Sequence, residues 1–581
     1  MRTFYENDIR KRTKVLTAVL AAWAAVVALR LVQVQVLGHA RAKAAVLRQA
    51  LDETAIEPRR GNILDRNGEI LACSLPSPSV VIRPVAEETP ATTKNKVRVL
   101  QKELGLSESK VAQILGRLAA GATFTYVKNK ITEEAAAKVM ALKLAGVELE
   151  PGTRRYYPMG SLAAHVLGGI SLTGESSTGV ESRFNTVLAG QPGRQMSYQI
   201  NGGRDYQTQI LQPPVPGRNI VLTIDATIQH YAEKELAKAV AEHEAAWGVV
   251  IVMEPATGDI LAMASLPAYD VNAYPGPKAA WMNRPVQVSY EPGSTFKIIT
   301  AAAARERNRV GFSEVFDCSA GFIRVGGTTI TDHERENVLS FPQVLIKSSN
   351  VGTVLFAQRL TIPEYHETIK AFGIGTKTGI ELPGEASGRL YPPDQWNRKN
   401  SLPHVAIGYE VMVSPLQMLR AMNVFATGGL LVRPRIVKDG VTEAASAGGE
   451  APVRVISAKT AADLVGRVFE AVVEEGTAKQ GRLDGFRIAG KTGTAKKYDP
   501  SIGGYTKNYT ATFVGFTPVE KPRLAMIVVL DQPKEGYYGG QVCAPVFRDI
   551  ARQVLRYLRV PPERPLPPGV LTAEMGKGRT R

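Results

Sequence analysis

A long apolar run opens the hydropathy pattern. Residues 15–29, "VLTAVLAAWAAVVAL", carry no charge, and after Arg30 the stretch "LVQVQVL" carries the apolar character on to Leu37. Fifteen residues are short of the roughly 20 that a membrane-spanning helix needs. Counting through Val34 reaches that length, with Arg30 near the outer interface, where its side chain can snorkel to water. The competing pattern is a cleaved leader with Ala22-Trp23-Ala24 as its cleavage site. The run continues well past that point, unlike a leader's apolar core. An uncleaved anchor over residues 15–36 is therefore expected.

Beyond it, residues 40–56 read as a helix leaving the membrane. "EPRRGNILDRNGEILACS", residues 57–74, places turn signals at Arg60-Gly61 and Asn67-Gly68 around short apolar runs, which predicts strands joined by a hairpin. Residues 92–146 are rich in Ala, Leu and Lys at helical spacing, and 154–170 and 179–193 each pass from a turn into a short helix. "QPPVPGR", residues 212–218, reads as a linker. After it come a strand ("NIVLTID"), an amphipathic helix over 226–245, and an apolar hairpin around Pro255-Ala256-Thr257-Gly258-Asp259. "YTATFVGFTP" and "RLAMIVVLDQP" supply two later strands. Strands at both ends with helical sequence between them predict an α/β (α+β) domain, one antiparallel sheet with an inserted helical region. Residues 439–452 read as a surface loop. From Pro561 there are five prolines in eight residues, then Lys577, Arg579 and Arg581, a composition that predicts disorder. The expected organisation is an N-terminus over 1–14, a transmembrane anchor over 15–36, a non-catalytic α+β pedestal over 37–215, a catalytic domain over 216–560 and a disordered tail over 561–581.

Composition changes this picture little, and charge more. With 581 residues the chain exceeds a single core, and 44% hydrophobic with 22% charged residues is ordinary for a folded protein. Lys plus Arg exceed Asp plus Glu by 71 − 54 = 17. These cations are scattered in ones and twos, so a surface facing anionic lipid or wall polymer is expected, and no nucleic-acid partner. Arg2, Arg10, Lys11, Arg12 and Lys14 precede the anchor, against Glu6 and Asp8. That bias keeps the N-terminus cytoplasmic and puts everything from about residue 38 outside. Cys73, Cys318 and Cys543 lie far apart without a Cys-x-x-Cys, and the seven histidines show no ligand spacing. No metal and no cofactor are expected, and at most one disulfide.

The candidate chemistry lies in three short motifs. "YEPGSTFKIITAAAARE", residues 290–306, puts Ser294 at the start of a helical run with Lys297 one turn on, so that the amine can reach the hydroxyl. A serine is a poor nucleophile until a base takes its proton, and lysine is that base only if its pKa falls from about 10.4 toward neutrality. A second Ser-x-x-Lys, Ser107 and Lys110, reads as a helix cap with a solvated lysine. "IKSSNVGT", residues 346–353, holds Ser348 and Asn350, a hydroxyl that can relay a proton and a carboxamide that can hold a peptide backbone. By itself this stretch reads as a break between helices with Ser348 as cap. Lys-Thr-Gly occurs twice. Lys377 follows a helical run closed by glycines and precedes Ile-Glu-Leu-Pro-Gly, so neither flank can pair for long as a strand. Lys491 follows "GFRIAG" in a stretch able to continue as a strand to Lys497, with two apolar strands next in sequence, as a sheet edge requires. The second copy is the expected site.

Ser-x-x-Lys, Ser-x-Asn and Lys-Thr-Gly in this order resemble the penicillin-recognising acyltransferases. With "RGNILDRNGEILA", "GVVIVMEPATGDILAMASLPAYDVN" and "FGIGTKTGIELPGE", the chain resembles a class B penicillin-binding protein over nearly its whole length. The resemblance implies a serine transpeptidase/β-lactamase-like domain on an elongated pedestal. It implies Ser294 as nucleophile attacking between two D-alanines of a stem peptide, Lys297 as base and Ser348 as proton relay. Asn350, Lys491, Thr492, Gly493 and Thr494 would bind substrate, with the N–H groups of Ser294 and Thr494 as oxyanion hole. β-Lactams would acylate Ser294 as mimics of the stem-peptide end. No glycosyltransferase segment precedes the pedestal, which implies a polytopic glycan polymerase and other division proteins as partners. "ILACSLPSPSVVIRP" and the short cytoplasmic stretch look more like the septal than the elongation type, placing the protein at the division site in the bacterial inner membrane, with its catalytic domain periplasmic. The rivals are a carboxypeptidase or β-lactamase passing the acyl group to water, and a non-catalytic division scaffold. For a β-lactamase, the Glu-x-x-Asn from Glu334 to Asn337 precedes Ser-x-Asn, where class A enzymes have theirs after it.

The two Lys-Thr-Gly copies make a paired test. Lys491→Ala removes a cation whose charge-assisted contacts are worth roughly 1.5–3 kcal/mol, so β-lactam acylation should fall by roughly one to two orders of magnitude. Lys377→Ala, a surface change worth within about 0.5 kcal/mol, should leave acylation within a few-fold of wild type when both are assayed at one pH.

Overall fold

The computed structural model describes residues 2–34, 52–85, 88–122, 124–171, 174–176, 178–200, 205–274, 278–438, 451–499 and 501–565. A helix spans Arg2–Val32. Its stretch Arg10–Val32 has 23 residues of mean hydropathy 2.3 with none of that window buried, a rise of roughly 34 Å, enough to cross a bilayer core.

The chain folds into two compact units. The smaller takes residues 1–59, 76–153 and 190–216, and the larger takes 60–75, 154–189 and 217–581. This differs from the single break expected near residue 216, because two segments assigned to the pedestal belong to the larger body. In the smaller unit, Ser79–Ile82 pairs with Thr125–Lys128 and Val147–Glu150, under helices Pro90–Leu104 and Glu108–Ala119. A second sheet joins Asp52–Ile56 to Gly193–Ile200 and Asp205–Gln212. The helix expected over 40–56 is therefore corrected: residues 40–51 lie outside the described residues, and 52–56 are a strand. Antiparallel pairing along all five residues satisfies a backbone that helical propensity alone would have coiled.

The larger unit is built on one five-stranded antiparallel sheet. Its strands are β1 (Trp247–Met253), β2 (Ile260–Leu266), β3 (Ala489–Asp499), β4 (Gly504–Thr517) and β5 (Leu524–Asp531), in the order β2-β1-β5-β4-β3. The alternation of side chains explains the unbroken apolar runs. On β5, Ala525, Ile527 and Val529 enter one core, while Leu524, Met526, Val528 and Leu530 enter the other. Helices α1 (Ala226–Glu242) and α5 (Ala544–Tyr557) cover the second face through Leu236 and Phe547. Helices α2 (Lys297–Glu306) and α3 (Asn350–Ala357) share the core on the first face, where α4 (Pro415–Ala426) packs directly on the sheet. In α2 the run Ala301–Ala304 is wholly buried, and four small side chains allow the close packing that carries Lys297 into the interior.

The segments gained by the larger unit are tied to each other at Glu181, and to its body where Ala226 N donates to Asp65 Oδ2 and Tyr157 N to Asn272 Oδ1. Glu181, with no exposure, accepts from Arg60 Nε at 2.7 Å, Arg155 Nε at 2.6 Å and Tyr157 Oη at 3.3 Å. The hairpin at 63–76 turns on Gly68, at φ 94, where Asp65 Oδ1 accepts from Asn67 N and Glu69 N. All three cysteines are free thiols. The disorder expected from 561 needs correction at its start. Glu563 accepts from Arg487 N and Glu520 N, and Arg564 pairs with Glu470 and Glu474, so charge pairing anchors 561–565; residues 566–581 lie outside the described residues, as do 439–450 of the expected loop.

Glu181→Ala strands two guanidinium groups, one of them buried. Removing one partner of a buried ion pair costs about 3–5 kcal/mol, so the thermal midpoint of the folded chain should fall by several degrees in a melting experiment.

Candidate active site

Ser294 sits where a tight turn meets the sheet edge. Gly293 has φ 53, donates its N–H to Gly408 O at 3.1 Å, and a Cβ there would stand 3.0 Å from Ala495 Cβ on β3. Only glycine meets both demands, so Pro-Gly fixes the turn that offers the half-buried Ser294. The turn Gly293–Phe296 leads directly into α2 at Lys297.

The Ser-x-Asn segment is a sharp reversal between two helices. Phe341–Ile346 ends, Ser348 adopts φ 61, and α3 begins at Asn350. The capping role expected of Ser348 belongs to its neighbour, because Ser349 Oγ accepts from Gly352 N at 2.9 Å. Ser348 is instead the strained residue, a left-handed conformation that costs roughly 1–2 kcal/mol outside glycine. Lys297 Nζ donates to Ser348 O at 2.7 Å, Ser349 O at 3.2 Å and Asn350 Oδ1 at 2.8 Å, with Ser348 Oγ at 3.5 Å. It makes no hydrogen bond to Ser294 Oγ here. A neutral amine keeps two donor hydrogens and frees a lone pair, which is the form that can accept a proton from Ser294.

β3 brings the third motif, with Lys491 paired to Val514 and Thr494 to Ala511. Lys491 Nζ donates to the same Ser348 Oγ at 2.9 Å and to Thr492 O at 3.2 Å. Both lysines are fully buried, and burial sets their titration. The Lys297 amine is pushed down to about 7 by loss of water, partly offset by the Asp332 carboxylate. Lys491 is held well below its ordinary value by burial first and the Lys297 charge second. Gly493 is placed by close approach to the turn: a Cβ would lie 2.8 Å from Thr295 Cγ2 and 3.0 Å from Pro292 O.

These elements border a cleft of about 420 Å³, lined among others by Ser294, Ser348, Thr492, Thr494 and Tyr538. Lys297 and Lys491 are not among its lining residues, but both reach the Oγ of Ser348, which is. Thr477, which sequence reasoning missed, bonds Thr492 through the two hydroxyls at 2.7 Å. Lys377 is exposed in a loop, where Thr378 and Gly379 wrap the Glu385 carboxylate. Ser107 caps the helix Glu108–Ala119 through Lys110 N at 3.3 Å.

Residues 248–552 match the family described as the penicillin binding protein transpeptidase domain, and residues 55–222 match the penicillin-binding protein dimerisation domain. The chain belongs to the class B penicillin-binding proteins. It is 34% identical to stage V sporulation protein D of Bacillus subtilis over 522 residues, covering 87% of this chain and 80% of that protein. It is 32% identical to the peptidoglycan D,D-transpeptidase FtsI of Escherichia coli K12 over 515 residues, 87% of this chain and 85% of the relative. The solved structure of penicillin-binding protein 3 from Mycobacterium tuberculosis with aztreonam superposes at a TM-score of 0.67 with 28% identity, covering 88% of this chain and 99% of that one. As a class B penicillin-binding protein it is a serine acyltransferase with the mixed α/β transpeptidase fold, a dimerisation domain and one apolar N-terminal helix.

The packing of β3 on the turn yields a direct test. Gly493→Ala forces a methyl against Thr295 and Pro292, an overpacking of roughly 1–3 kcal/mol that pushes the edge strand off the turn. Labelling by a fluorescent penicillin should slow about tenfold, read as a second-order rate constant.

Proposed function

We propose that this class B penicillin-binding protein is a peptidoglycan D,D-transpeptidase of septal wall synthesis. The observation that carries the reading is the meeting of Lys297 and Lys491 on Ser348 Oγ beside a cleft that Ser294 lines. Neutral Lys297 takes the Ser294 proton as Oγ attacks the carbonyl between two D-alanines. Ser348 passes its proton to the nitrogen of the departing D-alanine and takes up the one Lys297 acquired, so that the C–N bond breaks to leave a Ser294 ester and a neutral lysine. The backbone N–H groups of Ser294 and Thr494 hold the oxyanion. The Thr492 and Thr494 hydroxyls bind the terminal carboxylate with Lys491 beneath them. Asn350 orients Lys297 through Oδ1 while its amide, anchored on Thr331 O at 2.8 Å, faces substrate. An acceptor amine then attacks the ester, giving its proton to the neutral Lys297, which returns one to Ser294 Oγ as the ester C–O bond breaks. β-Lactams acylate the same serine.

The five cations before the anchor support a cytoplasmic N-terminus and a periplasmic catalytic domain. Resemblance to the septal type supports action at the division site beside a polytopic glycan polymerase. A tagged copy concentrated along the side wall of dividing cells, not at the septum, would overturn that assignment.

Ser294→Ala should abolish fluorescent-penicillin labelling, and wild type should hold its label for hours; rapid release would instead mark water as the acceptor. Lys297 acts as base only when neutral, so the acylation rate should rise with pH through about 7 and be lost as pH falls below it. Lys297→Ala should lower the plateau by roughly 10²–10⁴ and remove that acid limb. Near-normal acylation in the folded variant would take Lys297 out of the mechanism.

A further inference from the structure

Asp332 belongs to none of the three motifs, yet it holds the second one in place. It follows the strand Thr328–Thr331 and points into the Ser348–Asn350 reversal. Its Oδ1 accepts from Asn350 N and from Val351 N at 3.0 Å, and its Oδ2 accepts from Ser349 Oγ at 2.7 Å. One carboxylate thus satisfies two of the unpaired N–H groups at the start of α3 and the hydroxyl of its cap. The preceding carbonyl, Thr331 O, accepts from Asn350 Nδ2 at 2.8 Å, which fixes the carboxamide with Oδ1 toward Lys297. A strained Ser348 needs such clamping, since a left-handed residue persists only where its surroundings determine it.

We propose that Asp332 is the positioning residue of this site: it clamps the Ser348–Asn350 reversal over the Lys297 amine and supplies the anion that amine faces. This rests on the reading of Lys297 as the base for Ser294. The titratable groups around Lys297 are Asp332 and His333 on one loop and Lys491 on the edge strand. Of these only Asp332 is negative, and it alone favours the protonated amine. Its charge therefore partly offsets the burial that pushes the Lys297 amine down to about 7, while its oxygens hold the segment that the amine binds.

The two roles separate experimentally in the full-length chain in detergent, using fluorescent-penicillin acylation from pH 5 to 9. In Asp332→Asn, Oδ1 can still accept from Asn350 N and Val351 N, and the new amide can donate to Ser349 Oγ. The clamp survives and the charge is lost. The midpoint of the acid limb should move down by about one unit, with the plateau within about threefold of wild type. Asp332→Ala removes the clamp as well, and the plateau should fall about tenfold or more. His333→Gln should leave the midpoint where it was. An unmoved midpoint in Asp332→Asn, or a full plateau in Asp332→Ala, overturns the proposal. Should the acid limb persist in Lys297→Ala, the base assignment itself fails and takes this inference with it; should the limb vanish there, failure of the Asp332 variants falls on Asp332 alone. A fold lost in Asp332→Ala would show in its melting curve, and the isosteric Asp332→Asn then decides.

Discussion

Lys297 and Lys491 are both without solvent exposure and both bond the hydroxyl of Ser348. Two ammonium groups in so small a dry volume repel each other, and neither has water to disperse its charge. Much of the larger unit can be understood as the means of enforcing that crowding. The buried alanines of α2 let it pack closely among its helical neighbours and carry one lysine inside. Five antiparallel strands sandwiched between helical layers deliver the other on their edge. A left-handed Ser348 provides the shared oxygen, and Asp332 holds it there.

Much of this was legible from the sequence, for reasons that differ by element. The apolar N-terminal helix and the hairpin of β1 and β2 follow from hydropathy, which has a period that local sequence reports directly. The choice of Lys491 over Lys377 followed from strand compatibility, and the structure has β3 continuous from Ala489 to Asp499 while Lys377 stands in a turn around Glu385. The same three letters serve two folds of chain because the neighbours, not the motif, decide the backbone.

What escaped was set by partners distant in sequence. Glu181 joins residues 60–75 to 154–189, its two arginine partners lying 121 and 26 positions away, and Asp65 and Asn272 tie those segments to the rest of the larger unit. No window of hydropathy reads a polar network of that kind. Strand Asp52–Ile56 exists because Gly193–Ile200 pairs with it, and the capping role passed from Ser348 to Ser349 because Lys297 and Lys491 claim the first serine. Asp332 carries no motif at all; only its three hydrogen bonds mark it.

On the proposed mechanism, the crowding of the lysines also gives the substrate's carboxylate a second effect beyond its contacts. An anion over the Thr492 and Thr494 hydroxyls favours the charged form of Lys491, since an opposite charge within a few ångströms stabilises a buried cation. Charge on Lys491 in turn disfavours charge on Lys297, the direction in which the pair already couples. On the proposed mechanism, then, an anionic substrate helps keep the base neutral in the complex where it must act. A neutral ligand of the same shape would forgo that help as well as the contact. Recognition of the carboxylate and readiness of the base would thus be one electrostatic event, linked through the hydroxyl of Ser348.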